Sequence, residues 1–220
     1  NNAVPGFKGY GGFPATLCIS INEGVVHGIP TKKEFKDGDI VSVDCGSFLN
    51  KFYGDSAYTF AVGEVQENTL ELLRVTKTSL YKGIDNAIHG KRVEDIGYAI
   101  QQYCEKEHKY GVVRELVGHG IGRNLHEAPE VPNYGRRGRG VLMKDGLVIA
   151  IEPMVNLGKR EVSQSDDGWT IITKDKLPSA HYEHTVVVRK NKADILSNHE
   201  IIDEEIKKND NINEILIKKG

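Results

Sequence analysis

The sequence predicts an α+β fold of two related halves, each built on an antiparallel sheet and backed by helices. Three observations carry that expectation. Short β-rich runs separated by Gly, Pro, Asn and Asp occupy both ends of the chain. A helical periodicity fills the stretch between them. One β-rich segment near the start reappears, in its lettering, near the end.

From Leu17 to Val62 the runs are LCISI, DIVSVDC and SAYTFAV, read as strands of one antiparallel sheet. From about Asn68 to Ile88, Leu70, Leu73, Leu80 and Ile84 fall at spacings that suit one helix face. Val93, Ile96, Ile100 and Tyr103 do the same for a second helix ending near Gly111. The β pattern then returns in GVVREL, LVIAIEP, GWTIIT and EHTVVVRK. The tail from about Asp203, DEEIKKNDNINEILIKKG, is charged and Asn-rich, and reads equally as a short helix or a mobile extension.

The repeat sets KDGDIVSVDCG, from Lys36, under KDGLVIAIEPM, from Lys144. Each has Lys-Asp-Gly, an apolar run, and a carboxylate six residues past the glycine: Asp44 in one, Glu152 in the other. A second echo pairs GDSAYTFAV with YEHTVVV, a carboxylate followed by a strand, at Asp55 and Glu183.

Composition narrows the function classes. The 220 residues are 39% hydrophobic and 27% charged, ordinary values for a globular domain, and the longest apolar runs are far too short to span a bilayer. A net charge of −2 offers no global attraction for nucleic acid or an anionic membrane; Arg136, Arg137 and Arg139 form only a local patch. Cys18, Cys45 and Cys104 are too scattered for a disulfide framework or a zinc knuckle, which suits a reducing compartment.

Asp44 and Glu152 each end an apolar run, where an isolated ionised carboxylate costs several kcal/mol. Taken alone, an Asp ending a strand is most simply a turn residue, and Asp55 after Tyr53-Gly54 is an equally ordinary hairpin residue. The repeat weakens that simple reading. If the halves pack about a pseudo-twofold axis, four carboxylates converge, and they cannot all ionise without bound cations. His119 would add a fifth ligand, a set of oxygen and nitrogen donors that suits two divalent first-row ions. His184, beside Glu183, should point to the opposite strand face. The run VGHGIGRNLHEAPE, from Val117 to Glu130, gives G-x-G-x-G with no helix pattern after it, a poor dinucleotide fingerprint. It lacks the ending of a P-loop, and no G-x-S-x-G elbow occurs anywhere in the chain. Its glycines better suit close passage of the backbone by a crowded centre.

SVDCGSFLNKFYGDS, GHGIGRNLHEAP, AIEPM, DGWT and YEHTVVV, in this order and spacing, resemble methionine aminopeptidase of type I, dimetal peptidases of the pita-bread (creatinase/aminopeptidase) fold. The resemblance runs from Gly9 to about Ile195, and the short intervals from His119 to Glu152 and from Glu152 to Glu183 leave no room for the helical insertion of type II. It implies a metal-dependent aminopeptidase that removes the initiator methionine from nascent polypeptides with a small second residue, through a metal-bridging hydroxide. Asp44 would chelate one ion, His119 and Glu152 the other, and Asp55 and Glu183 would bridge both; cobalt, manganese, iron(II) or zinc would fit. Glu152 would also move the proton, His126 would donate to the oxyanion, and His27, in VVHGIP, would contact the substrate backbone. Tyr10, Phe13, Cys18 and Trp169, with Leu125, would form the methionine pocket, and Asn22, Gly24 and Ser179 a monovalent-cation site.

The same resemblance implies one catalytic domain over residues 1–197, in halves of about 1–66 and 67–197, with 198–220 as a tail. The two helices that precede this segment in the family are missing, so a longer natural chain is expected, since an uncovered apolar sheet face is a liability. A cytoplasmic monomer is expected, or an organellar one if a transit segment preceded Asn1. Association with the ribosome is compatible with that substrate; a membrane or sequence-specific nucleic-acid partner is not expected. Two other readings share the fold. One is a proline-specific peptidase like prolidase or aminopeptidase P, whose histidine loops differ from VVHGIP and GRNLHEAP. The other is a non-catalytic binding protein, against which the intact five-ligand set argues.

Overall fold

A computed structural model describes residues 2–217; Asn1 and residues 218–220, the extreme ends of the expected domain and tail, lie outside the described residues. In the first half, the strand Ile40–Asp44 is central, pairing antiparallel with Cys18–Ile21 on one side and Ala57–Ala61 on the other. In the second half, Val148–Ile151 pairs antiparallel with His184–Val187 and with Gly118–Gly120, which in turn carries Glu127–Val131.

The repeated lettering is a repeated structure. Asp44 lies opposite Ala57, just past Asp55, and Ile151, just before Glu152, lies opposite His184, just past Glu183. Each half therefore brings two carboxylates to one end of an antiparallel pair. The two ends are stitched together. Thr185 Oγ1 both accepts from the Asp55 N–H (3.0 Å) and donates to the Asp55 carbonyl (2.8 Å), while the Glu183 N–H donates to the Ala57 carbonyl (2.9 Å). Further along, Thr59 Oγ1 donates to the His181 carbonyl (2.7 Å).

Helix α1, Glu67–Ile84, and helix α2, Val93–Gln101, pack on each other, and α1 lies against the strands of the second half. Leu72, Leu73, Leu80, Ile84, Val93, Ile96 and Ile100 are all buried in the main core with Ile149, Ile151, Val155 and Val186. Burying each such aliphatic chain contributes roughly 1.5–3 kcal/mol, enough to hold this helical layer on the sheet. The second helix differs from the expected span. Regular α-helix stops at Gln101, and Gln102–Glu107 form a wider π turn that closes at His108, with Lys109 at φ 65°. GVVREL yields only the two-residue strand Gly111–Val112.

The tail is ordered against the first half. Helix α3, Glu200–Ile206, is followed by a segment whose Asn213 N–H donates to the Ala61 carbonyl (2.9 Å), with Ile206 and Ile215 buried. Lys77 on α1 is the clamp. Its Nζ is buried and donates to Asp203 Oδ1 (2.8 Å), the Tyr58 hydroxyl (3.1 Å) and the Ile215 carbonyl (3.1 Å). Charged hydrogen bonds of this kind contribute about 2 kcal/mol. Lys77→Ala is accordingly expected to lower the urea midpoint and to expose the tail to trypsin before the domain unfolds. A variant with unchanged midpoint and tail protection would refute the clamp.

Candidate active site

One cleft, of about 320 Å³, is lined by Asp44, Asp55, His119, Glu152 and Glu183 together with His27 and His126. All five side chains expected as ligands, and both further histidines, thus share one cavity. Ligand atoms of Asp55, His119 and Glu183 lie within 4.8 Å of one another, the group of this kind found among the described residues. Asp44 adjoins Asp55, and Glu152 Oε1 is 3.6 Å from His119 Nε2.

His119 is placed by its glycines. A Cβ on Gly118 would meet the Ala150 carbonyl oxygen at 2.3 Å, and one on Gly120 the Ala128 carbonyl oxygen at 2.3 Å, so only glycine lets three strands close here. The His119 Nδ1–H donates to the Gly120 carbonyl (2.9 Å), which fixes the tautomer and leaves the Nε2 lone pair facing the carboxylates. Burial holds its pKa below the usual imidazole value, despite the opposing charge of Glu152.

The carboxylates are held away from water. Burial raises the Asp44 and Glu183 pKa values well above the ordinary range, helped by the charges of their acidic neighbours. Burial and the Glu152 charge push Asp55 up to about 7, and burial pushes Glu152 up to about 7 against the pull of His119. Asp44 Oδ1 and Glu183 Oε1 are buried with no hydrogen-bond partner among the described residues. Orphaned oxygens in a cluster of mutually repelling carboxylates are what a divalent cation would satisfy, and the oxygen and imidazole donors fit first-row ions.

The cleft has an apolar end, walled by Phe7, Phe13, Cys18, Leu125 and Trp169. Trp169 meets Phe13 edge to face, with ring centroids 5.2 Å apart. Cys18 is directly across the sheet from Asp44, so this wall adjoins the carboxylates. Its thiol pKa is raised, chiefly by burial and then by the charges of Asp44 and Asp55, which keeps it a neutral apolar surface. Tyr10 stands at the exposed mouth, in a turn of glycines (Gly9 at φ 84°, Gly12 at φ 92°), and its hydroxyl lies 2.8 Å from His126 Nδ1. The His126 and His119 rings are 4.2 Å apart, centroid to centroid. Burial lowers the pKa of His126, with His27 adding to the effect, and His27 itself is lowered by burial and by His181. Asn22 and Ser179 are also brought together, the Ser179 N–H donating to the Asn22 carbonyl (2.9 Å).

Three further residues, without a motif to mark them in the sequence, belong here. Phe7 completes the apolar wall. Asn133, fully buried, donates from Nδ2 to the Glu152 carbonyl (3.0 Å). His181 is buried beside Glu152, and burial pushes its pKa down to about 3. Strand alternation could have found it, because His181 and Glu183 share a face while Tyr182 between them turns into the core. His184 turns away from the cluster and packs on His199 at 4.0 Å between rings, as alternation predicts.

Residues 3–190 match the model of metallopeptidase family M24. A methionine aminopeptidase of Clostridium acetobutylicum is 53% identical over 197 residues, 89% of this chain and 78% of the relative. The crystal structure of a methionine aminopeptidase from Thermotoga maritima superposes with a TM-score of 0.86 at 48% identity, over 88% of this chain and 78% of that one. Prolidase from Pyrococcus furiosus, at 24% identity and a TM-score of 0.64 over 83% of this chain and 49% of its own, shares the pita-bread fold alone. The chain belongs to metallopeptidase family M24 and, within it, to the methionine aminopeptidases.

Proposed function

We propose that the chain removes the N-terminal methionine from polypeptides whose second residue is small. Membership of a metallopeptidase family carries divalent metal use; in this proposal two ions are held by Asp44, Asp55, His119, Glu152 and Glu183. The observation that supports it most is the shared cleft, in which a carboxylate and imidazole cluster adjoins an apolar, thiol-walled pocket. When bound, the ions would polarise the scissile carbonyl and make water nucleophilic near neutral pH.

The chain's own groups account for the rest. Phe7, Phe13, Cys18, Leu125 and Trp169 take the thioether side chain, a soft group suited to rings and a thiol. Glu152, whose carboxylate lies 3.6 Å from His119 at the edge of the cluster, is the group that accepts a proton and returns it to the leaving amine. With the Tyr10 hydroxyl as donor to Nδ1, the His126 ring proton sits on Nε2, free to donate to the developing oxyanion. His27, on the cleft wall, contacts the substrate backbone at the cleaved bond. A monovalent cation at Asn22, Gly24 and Ser179 belongs to the same proposal; the Ser179 N–H donating to the Asn22 carbonyl brings two of the three together.

Metal-loaded protein should release methionine from Met-Ala-Ser on the order of a hundredfold faster than from Met-Lys-Ser, read by chromatography of the free amino acid. Equal rates would reject the small-residue preference. Absence of metal-stimulated release from either peptide would reject the aminopeptidase reading. The proline-specific alternative would require cleavage next to proline, and the 53% identity to a methionine aminopeptidase does not favour it.

A further inference from the structure

His181 is a buried side chain aimed at the carboxylate cluster. It is 1% exposed, and its Nε2 makes no hydrogen bond among the described residues. The nearest charged atom is Glu152 Oε2, at 3.6 Å. The other oxygen of the same carboxylate, Oε1, lies 3.6 Å from His119 Nε2. Glu152 is therefore gripped between two imidazoles, one at each oxygen, and the two are differently committed. His119 donates its Nδ1–H to Gly120, so its Nε2 is an acceptor available to a cation. An Nε2 proton on His181 has Glu152 Oε2 as its acceptor.

Both histidines are fixed by the backbone around them. His181 ends the strand Ser179–His181, where its N–H donates to Thr59 Oγ1 (2.9 Å) and its carbonyl accepts from the same hydroxyl (2.7 Å). Asn133 fixes the Glu152 main chain from the other side. Only the carboxylate torsion is left to be set, and the separation of 3.6 Å exceeds a good hydrogen bond by a few tenths of an ångström, which a small rotation of Glu152 closes.

We propose that His181 is a positioning residue for Glu152: its Nε2–H holds Oε2, so that Oε1 stays turned toward His119 and the metal cluster. The inference rests on the aminopeptidase reading of the site. A buried hydrogen bond to a carboxylate that serves both as ligand and as proton carrier should act on metal affinity and on turnover together, with losses of about ten- to a hundredfold when such supporting groups are removed.

The test compares His181→Leu, which keeps bulk and loses the donor, with His181→Gln, whose amide restores one. In His181→Leu, cobalt(II) should bind about tenfold more weakly by calorimetry with the same number of equivalents, and kcat on Met-Ala-Ser should fall on the order of tenfold or more with KM held. His181→Gln should recover both quantities toward the parent protein. Unchanged affinity and kcat in His181→Leu, or a His181→Gln variant no better than His181→Leu, would overturn the assignment. Loss of a whole equivalent of cobalt in His181→Leu would also overturn it, making His181 a ligand in its own right. The two readings fail separately: an inactive parent protein rejects the aminopeptidase function, whereas the cobalt affinities judge His181 without reference to any peptide.

Discussion

His119→Ala is expected to cost metal, and His126→Ala to cost turnover. The two rings are only 4.2 Å apart in one cleft, yet their nitrogens face different work. A ring nitrogen of His119 belongs to the atoms converging with Asp55 and Glu183, so its removal takes a donor from the cluster and should weaken divalent-metal binding by on the order of a hundredfold. His126 is outside that group and is tied through Nδ1 to Tyr10. Its loss should leave metal content unchanged and lower kcat on Met-Ala-Ser by about a hundred- to a thousandfold, the scale of one oxyanion donor. Metal analysis after gel filtration, run beside steady-state kinetics, separates the two. Equal metal loss in both variants would contradict the division of labour.

The shared cleft of carboxylates and histidines was legible because carboxylates and glycines leave marks that a single sequence preserves. Lys-Asp-Gly followed by a strand and an acid occurs twice, and the structure places Asp44 and Glu152 at equivalent ends of paired strands. Gly118 and Gly120 read as points of close backbone approach, and neighbouring carbonyls do occupy the space their Cβ atoms would need. Phe7 was hidden for a different reason. It looks like an ordinary loop residue, and its importance lies in what stands opposite it, across a long sequence separation; His181 left only a faint mark, its place on the same strand face as Glu183. Asn133 is similar, since only the fold tells which carbonyl its amide meets. The tail was undecidable from composition because its order rests on Lys77, a residue of another element that becomes a partner only after folding.

The same cluster should make the metal-free protein less stable as pH rises. In the folded state Asp55 and Glu152 have pKa values of about 7, raised by burial and, for Asp55, by the neighbouring Glu152 charge. An unfolded carboxyl titrates near 4. The folded state therefore binds these protons more tightly than the unfolded state. Their effect is absent below about pH 4, grows as pH rises from about 4 to about 7, and is complete above that. Divalent ions reverse the balance, because they compete for the same oxygens and bind more tightly once the protons have left. The buried histidines oppose the carboxylates' effect below about pH 6.5, where burial keeps them neutral while the unfolded chain would take up their protons. Above that pH they no longer contribute, so protein stripped with a chelator should lose Tm between about pH 6.5 and pH 8, while the Tm gained on adding manganese or cobalt should grow over the same range. Activity should vanish on stripping and return with the ion. A Tm increment that does not vary with pH would show that these carboxylates are already ionised in the empty cleft. In that case the convergence of the two halves would carry a repulsion that the fold itself offsets, with no need of the metal.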